Sequence, residues 1–355
     1  MSQHHREPAG PFVSRRSFVI TSGAALAAAP LLAESDGVAA PPPPPPRLAE
    51  VVGSEHWTTK DAGSDKVKLF LRRKRLKNPA TGGGRQGTIL FVHGSSISGT
   101  PTFDLQIAGR PECSVMDWFA RRGYDTWCVD CEGYGHSDKS RPVNSDIACG
   151  ADDLAAASTY ILKETGGGKL MLYGESSGGL RAAVHAQRHP EQVSRLALDG
   201  FVWTGEGSPT LAERRKRLPQ FRASNRRPID RDFVRSIFTR DHPGTSDQTI
   251  VEAFADAVLA LETSAPTGTY IDMSANLPVV DPEKLNVPTL VLRGQFDGIA
   301  SLDDVSRFFA KLPSPDKQFI IMPGIAHSSM RSKNWAIVYH LLDGYFSQPA
   351  PVYVG

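Results

Sequence analysis

The chain has 355 residues, 40% of them hydrophobic and 22% charged, the make-up of a globular protein long enough for one sizeable core. Its 40 Lys and Arg against 38 Asp and Glu leave a net charge of +2, too weak a field to gather nucleic acid or an anionic lipid surface. Four cysteines in this length do not make a disulfide scaffold, and no uncharged stretch of about 18 strongly apolar residues reads as part of a multispan membrane protein, so apolar burial must hold the fold.

At the N-terminus, Ser14-Arg15-Arg16-Ser17-Phe18-Val19-Ile20 runs into an alanine-rich, weakly apolar stretch ending near Ala33. A polar start, an arginine pair and an apolar region in that order resemble a twin-arginine export signal; the plain alternative is a disordered terminus with a chance arginine pair. The resemblance implies a signal peptide over residues 1–40, a periplasmic or secreted location, and transient contact with the twin-arginine export machinery. No cysteine follows, so no stable membrane anchor is expected. Residues 41–50 read as a linker whose Pro41 to Pro46 run is extended polyproline, a spacer rather than a ligand for a proline-binding module.

From about residue 67, short apolar runs alternate with amphipathic ones, the pattern of a mostly parallel sheet with crossover helices. Strands are predicted at Val67 to Leu71, Thr88 to Val92, Thr126 to Asp130, Leu170 to Tyr173, Leu196 to Leu198, Thr289 to Leu292 and Gln318 to Ile321. A helix over Asp152 to Lys163 ends at Gly166-Gly167-Gly168, and another covers Leu180 to Arg188 before Pro190. The strand rhythm stops between 203 and 284. There Ile229, Phe233, Val234, Ile237 and Phe238 share one helical face, as do Ile250, Phe254, Val258 and Leu261, which predicts a helical cap inserted in a core of 51–202 and 285–355.

The strand Leu170 to Tyr173 runs straight into Gly174-Glu175-Ser176-Ser177-Gly178-Gly179 and a helix. A serine on so tight a strand-to-helix turn needs small neighbours, which the glycines supply, and its Oγ then sits at a positive helix end. A hydroxyl is a poor nucleophile until a base takes its proton, so a histidine must come from elsewhere. His327, in the loop after the last strand, fits best, with a surface loop histidine as the alternative. His4 and His5 precede the signal, His56 precedes the sheet, and His242 and His340 lack a strand-end setting. His185 and His189 are an i,i+4 pair without a third ligand and read as a solvated helix face. Asp297, just past strand Thr289 to Leu292, is the favoured orienting acid, with Asp199 at the end of the neighbouring strand as its rival. Two oxyanion donors are needed: the amide of Ser177, and one after His93-Gly94, from Ser95 or, second, Ser96. His93 reads as a scaffold side chain.

At these residues the chain resembles the α/β-hydrolase superfamily, from about 67 to 345. Besides the elbow, Phe91-Val92-His93-Gly94 looks like its oxyanion-loop strand, Asp130-Cys131-Glu132-Gly133-Tyr134-Gly135-His136-Ser137 like its D-x-x-G-x-G-x-S turn, and Arg293 to Asp297 like its acid-bearing strand. The resemblance implies an α/β fold with an eight-stranded sheet, one strand antiparallel, a cap after strand six, and no cofactor or metal. Some members carry the acid after strand six, which keeps Asp199 open. The loop Ser95 to Arg110 is longer than is common in the superfamily, and Cys131-Glu132 replaces its frequent basic residue before Gly133. Dehalogenases and epoxide hydrolases of this fold use Asp at the elbow, so Ser176 argues against both.

Three functions stay in play. The first is an exported serine hydrolase of a small-molecule carboxylic ester or lactone. The second is a carbon–carbon bond hydrolase of a vinylogous diketone with the same triad, and the third a binding protein on an inactive scaffold. Cys128 and Cys131 read as buried thiols, although export would permit a bridge involving Cys113 or Cys149. Gly82-Gly83-Gly84 lacks the Lys-Ser/Thr of a phosphate cradle. Arg214-Arg215-Lys216-Arg217 and Arg226-Arg227 make the cap basic, either as a solvated face or as an attractor of anionic substrates. Trp203 and the cap phenylalanines either line an apolar acyl pocket or belong to the core.

Overall fold

The computed structural model describes residues 49–78 and 86–353; the residues read as an export signal, Pro41 to Pro46 and Gly82 to Gly84 lie outside them. Ten strands appear in chain order: β1 (Val51–Ala62), β2 (Asp65–Leu76), β3 (Gly87–Val92), β4 (Tyr124–Asp130), β5 (Leu170–Glu175), β6 (Val193–Asp199), β7 (Arg226–Pro228), β8 (Ser264–Pro266), β9 (Thr289–Gly294) and β10 (Lys317–Met322). Eight form one sheet in the order β1-β2-β4-β3-β5-β6-β9-β10. β2 runs antiparallel to both β1 and β4, and every other pair within this sheet is parallel.

Alternation along β3 shows why the sheet is buried on both sides. Leu90 and Val92 face helices Ile147–Thr165 and Ser177–Arg188, while Ile89 and Phe91 face helices Val115–Ala120 and Trp335–Phe346. The chain leaves β3 for β4 on one side and returns to β5 on the other, so the sheet reverses its order of growth at β3. In open parallel sheets the crevice beyond the strand ends at such a reversal is where ligands bind.

One strand of the main sheet carries no signal in the sequence. β1 has no apolar alternation because it is an edge strand with half of its residues exposed, held by its ladder to β2 and by Lys60, whose ammonium meets Glu132 at 2.9 Å and Asp153 at 2.6 Å. Between β6 and β9 the insert carries helices Pro209–Lys216, Leu218–Ala223, Arg231–Thr239 and Gln248–Leu259. It also contains the two-stranded β7–β8 ribbon, which helical periodicity did not reveal. Val234, Phe238, Ile250, Phe254 and Val258 form its core against Ile97, Leu105 and Tyr134. All four cysteines are free thiols, Cys128 and Cys131 fully buried. Among the described residues no helix is long and apolar enough to cross a membrane.

Candidate active site

Ser176 sits between β5 and helix Ser177–Arg188 with φ 58° and ψ −124°, a left-handed conformation that costs a non-glycine residue about 1–3 kcal/mol. Its amide donates to Asp199 O at 2.8 Å and its carbonyl accepts from the Gly179 amide at 3.0 Å, which fixes the bend. A Cβ on Gly174 would lie 2.5 Å from Gly178 O, and one on Gly178 would lie 2.2 Å from Val92 O. Strand and helix therefore cross too closely for any side chain at either position. The Ser177 amide opens the helix, where N–H groups have no intrahelical partner.

His327 follows β10 and Asp297 follows β9. Their loops are laced together by the Gln295 amide on Met322 O and the Phe296 amide on Ile325 O, both 2.9 Å. His327 Nδ1 lies 2.9 Å from Asp297 Oδ2 and 3.1 Å from Oδ1. Asp297 Oδ1 also accepts the Ile299 and Ala300 amides at 2.8 and 3.0 Å. Burial opposes ionisation of both groups. The mutual attraction overrides it, raising the His327 pKa and, with the two amides, lowering that of Asp297. Gly200, at φ 59°, makes room for the ring: a Cβ there would lie 2.9 Å from Nδ1.

Asp199 is turned elsewhere. Its Oδ2 accepts the Tyr173 hydroxyl at 2.7 Å and the Ser329 hydroxyl, and burial pushes its pKa up to about 7. His93 is fully buried, accepts the Cys131 amide on Nε2 at 3.1 Å and so directs Nδ1–H at Gly94 O, 2.8 Å away. Burial and Arg181 drive its pKa down to about 3, which keeps it neutral. His185 does not lie on a solvated face: it is fully buried between helices, its ring 5.2 Å from that of His189 and Nε2 3.3 Å from Ser158 Oγ. Trp203 also lies away from Ser176, packed on Phe308 and bonded to Val280 O at 3.1 Å.

Ser95 Oγ donates to Ser177 Oγ at 2.8 Å, which sets the loop after β3 beside the start of the helix. Several groups invisible in the linear pattern hold that loop. Asp130 accepts the Gly99 amide at 2.8 Å and the His136 amide at 2.9 Å, so the D-x-x-G-x-G-x-S turn acts here as a brace. Glu262 of the insert accepts the Ser98 amide at 2.8 Å and the Gly135 amide at 2.9 Å. Arg227 Nη2 donates to Ser96 Oγ at 2.6 Å and Ser95 O at 3.2 Å.

Ser176 and His327 open on one cavity of about 50 Å³, with Ser95 and Ser96 on its wall, Ile237 and Phe254 from the insert, and Arg214, Arg240 and Arg331 around it. Ligand sites commonly enclose about 300–1,000 Å³, so the cavity is small for a ligand site as it stands. Arg331 bonds both oxygens of Glu175 at 2.9 and 3.0 Å. Asp241, unforeseen in the sequence, brings a carboxylate oxygen within 4.8 Å of ligand atoms of Asp297 and His327, which already hold each other through Nδ1. Glu132, Cys149 and Asp153 cluster likewise, around a cation already supplied by Lys60.

A sheet in this order, with a strained serine after β5, an acid after β9 and a histidine after β10, defines an α/β hydrolase. Residues 108–334 match the serine aminopeptidase S33 model, and the chain belongs to that hydrolase family. It is 33% identical over 130 residues to a 2-hydroxy-6-oxononadienedioate/2-hydroxy-6-oxononatrienedioate hydrolase of Burkholderia vietnamiensis, covering 37% of this chain and 40% of that protein's length. A protein of the same name from Cupriavidus pinatubonensis is 25% identical over 247 residues, 66% of this chain and 78% of its own. Among solved structures, a thermophilic esterase of Thermogutta terrifontis has 21% identity and a TM-score of 0.57 over 82% of this chain and 97% of its own. A monoglyceride lipase of Saccharomyces cerevisiae has 18% identity and a TM-score of 0.60 over 86% and 98%. At such identities the last two establish the fold.

Proposed function

We propose that the protein is a serine hydrolase that cleaves a carboxylic ester through an acyl-enzyme on Ser176. The reading rests on the strained serine sharing a cavity with His327, whose far nitrogen is held by Asp297 at 2.9 Å. Neutral His327 takes the Ser176 proton on Nε2 as Oγ bonds the acyl carbon, with the Ser95 and Ser177 amides receiving the oxyanion. The C–O bond to the alcohol then breaks and Nε2 returns the proton to the leaving oxygen. Water repeats the sequence, releasing the acid and restoring the hydroxyl. Asp297 keeps the imidazole in the tautomer this requires.

A positive cavity disfavours the ammonium end of a peptide, so the family's aminopeptidase name is not carried over. Carbon–carbon hydrolysis is the second reading, favoured by the relatives named as dioate hydrolases. Ser176→Ala should abolish turnover of 4-nitrophenyl butyrate while leaving the melting transition in place, and a fluorophosphonate should label Ser176 in the unmodified protein. Turnover that survives the substitution refutes both readings; a panel of esters and vinylogous diketones separates them. The Arg15-Arg16 leader is read as an export signal, for which replacing both arginines with lysine should retain the protein in the cytoplasm.

A further inference from the structure

The charges around the cavity do not balance. Arg214, Arg227, Arg240 and Arg331 surround it or its wall, against the carboxylates of Glu175, Asp241 and Asp297. Arg331 is matched by Glu175, and Arg240 Nε has Asp241 at 3.5 Å. Arg227 is spent on Ser95 O and Ser96 Oγ. Arg214 has no carboxylate within ion-pair distance among the described residues and feels Asp241 only from further off: it stacks on the Tyr270 ring at 4.2 Å and its Nη1 is buried without a hydrogen-bond partner. A buried guanidinium with an idle N–H is costly unless something anionic meets it.

Two further signs agree. Tyr270 lies beneath this cluster, with Arg227 3.9 Å from its ring; burial would raise its pKa, yet the charges of Arg214, Arg227 and Arg240 bring it down to about 7. Arg214 itself falls to about 10, from burial and from the neighbouring guanidiniums. With Tyr270 protonated the surplus is one positive charge, which a single carboxylate cancels and a phosphate dianion overshoots. The planar guanidinium fork is matched to a carboxylate.

We propose that the substrate of Ser176 carries a carboxylate away from its scissile bond, and that Arg214 and Arg240 of the insert bind it. This rests on Ser176 being the nucleophile, and the test separates the two claims. Mono-4-nitrophenyl glutarate is compared with 4-nitrophenyl pentanoate, and 4-acetoxybenzoate with phenyl acetate, so that the carboxylate is offered on either side of the ester. In at least one pair the carboxylated ester should lead in kcat/KM by about 10- to 100-fold, the worth of a charge-assisted hydrogen bond. Arg214→Gln and Arg240→Gln should each pull that ratio towards one, and Arg214→Lys should restore part of it. Fluorophosphonate labelling of Ser176 in each variant reports an intact site. Equal rates within both pairs, or ratios unmoved by both Gln variants in labelled protein, overturn the proposal while leaving the nucleophile reading standing. Failure of the unmodified protein to label or to cleave any of the four esters overturns both.

Discussion

Asp297→Asn asks which proton the imidazole carries. The Asp297 oxygens are not equivalent: Oδ1 accepts the Ile299 and Ala300 amides at 2.8 and 3.0 Å, and Oδ2 lies 2.9 Å from His327 Nδ1. In the amide variant the carbonyl oxygen has to stay on the two backbone donors, since turning the group over would forfeit both bonds at about 1–3 kcal/mol each. The new NH2 therefore faces Nδ1, which becomes an acceptor and moves the ring proton to Nε2, the nitrogen that must take the Ser176 proton. The expected loss is about 10⁴-fold in kcat, about 5 kcal/mol of barrier. Asp199→Asn is the matched control. Its acid already has a pKa near 7, and its Oδ2 serves the Tyr173 and Ser329 hydroxyls. That variant should keep kcat within about tenfold of the unmodified protein. Steady-state hydrolysis of 4-nitrophenyl butyrate, with near-ultraviolet circular dichroism on each variant, decides the matter. The reasoning fails if Asp199→Asn is the more damaging, or if Asp297→Asn loses less than about tenfold.

Because the Asp297 charge raises the His327 pKa against burial, and the base must be neutral to work, kcat/KM should fall with acidification through an apparent pKa above 6.5. A limb below 6.5 in the pH–rate profile would contradict that pairing. For Asp199 the folded pKa of about 7 exceeds the ordinary 3.8, so between those values the folded chain holds a proton that the unfolded chain has released. Stability contributed by that proton is lost as pH rises through this window, and the Tm gain of Asp199→Asn over the unmodified protein should grow across it and then level off. A constant difference in thermal melts would rule this out. Glu262→Ala strands the buried Ser98 and Gly135 amides and should cost about 2–5 kcal/mol in urea unfolding; less than about 1 kcal/mol would mean water replaces the carboxylate.

What could be read from the linear chain follows from what each residue faces. β3, β5, β6 and β9 are buried on both sides and so announce themselves as unbroken apolar runs. The elbow is legible because the steric demand at Gly174 and Gly178 admits no alternative residue. β1 is silent because an edge strand with polar side chains has no periodicity to display; its ladder to β2 and the Lys60 ion pairs exist only after folding. The competition between Asp199 and Asp297 turns on side-chain direction, which adjacent strand ends share until Tyr173 and Ser329 claim one carboxylate. Arg240, Asp241 and Arg331 belong to no motif. The burial of His185 is not legible because an i,i+4 pair locates a face of a helix without saying what that face meets.

The clasp formed by Glu262 and Arg227 limits how the doorway to Ser176 can work. Both reach from the insert to the same short span, one gripping the Ser98 amide and the other the Ser95 carbonyl. Hoisting the whole insert like a hatch would unfasten that span at two points and scatter the donors proposed to meet the oxyanion. Entry that keeps the machinery assembled has to leave both fastenings shut and part the wall elsewhere, among side chains such as Ile237 and Phe254 that the insert lends to the cavity. A hinge at those two fastenings would thus trade access for a dismantled oxyanion loop.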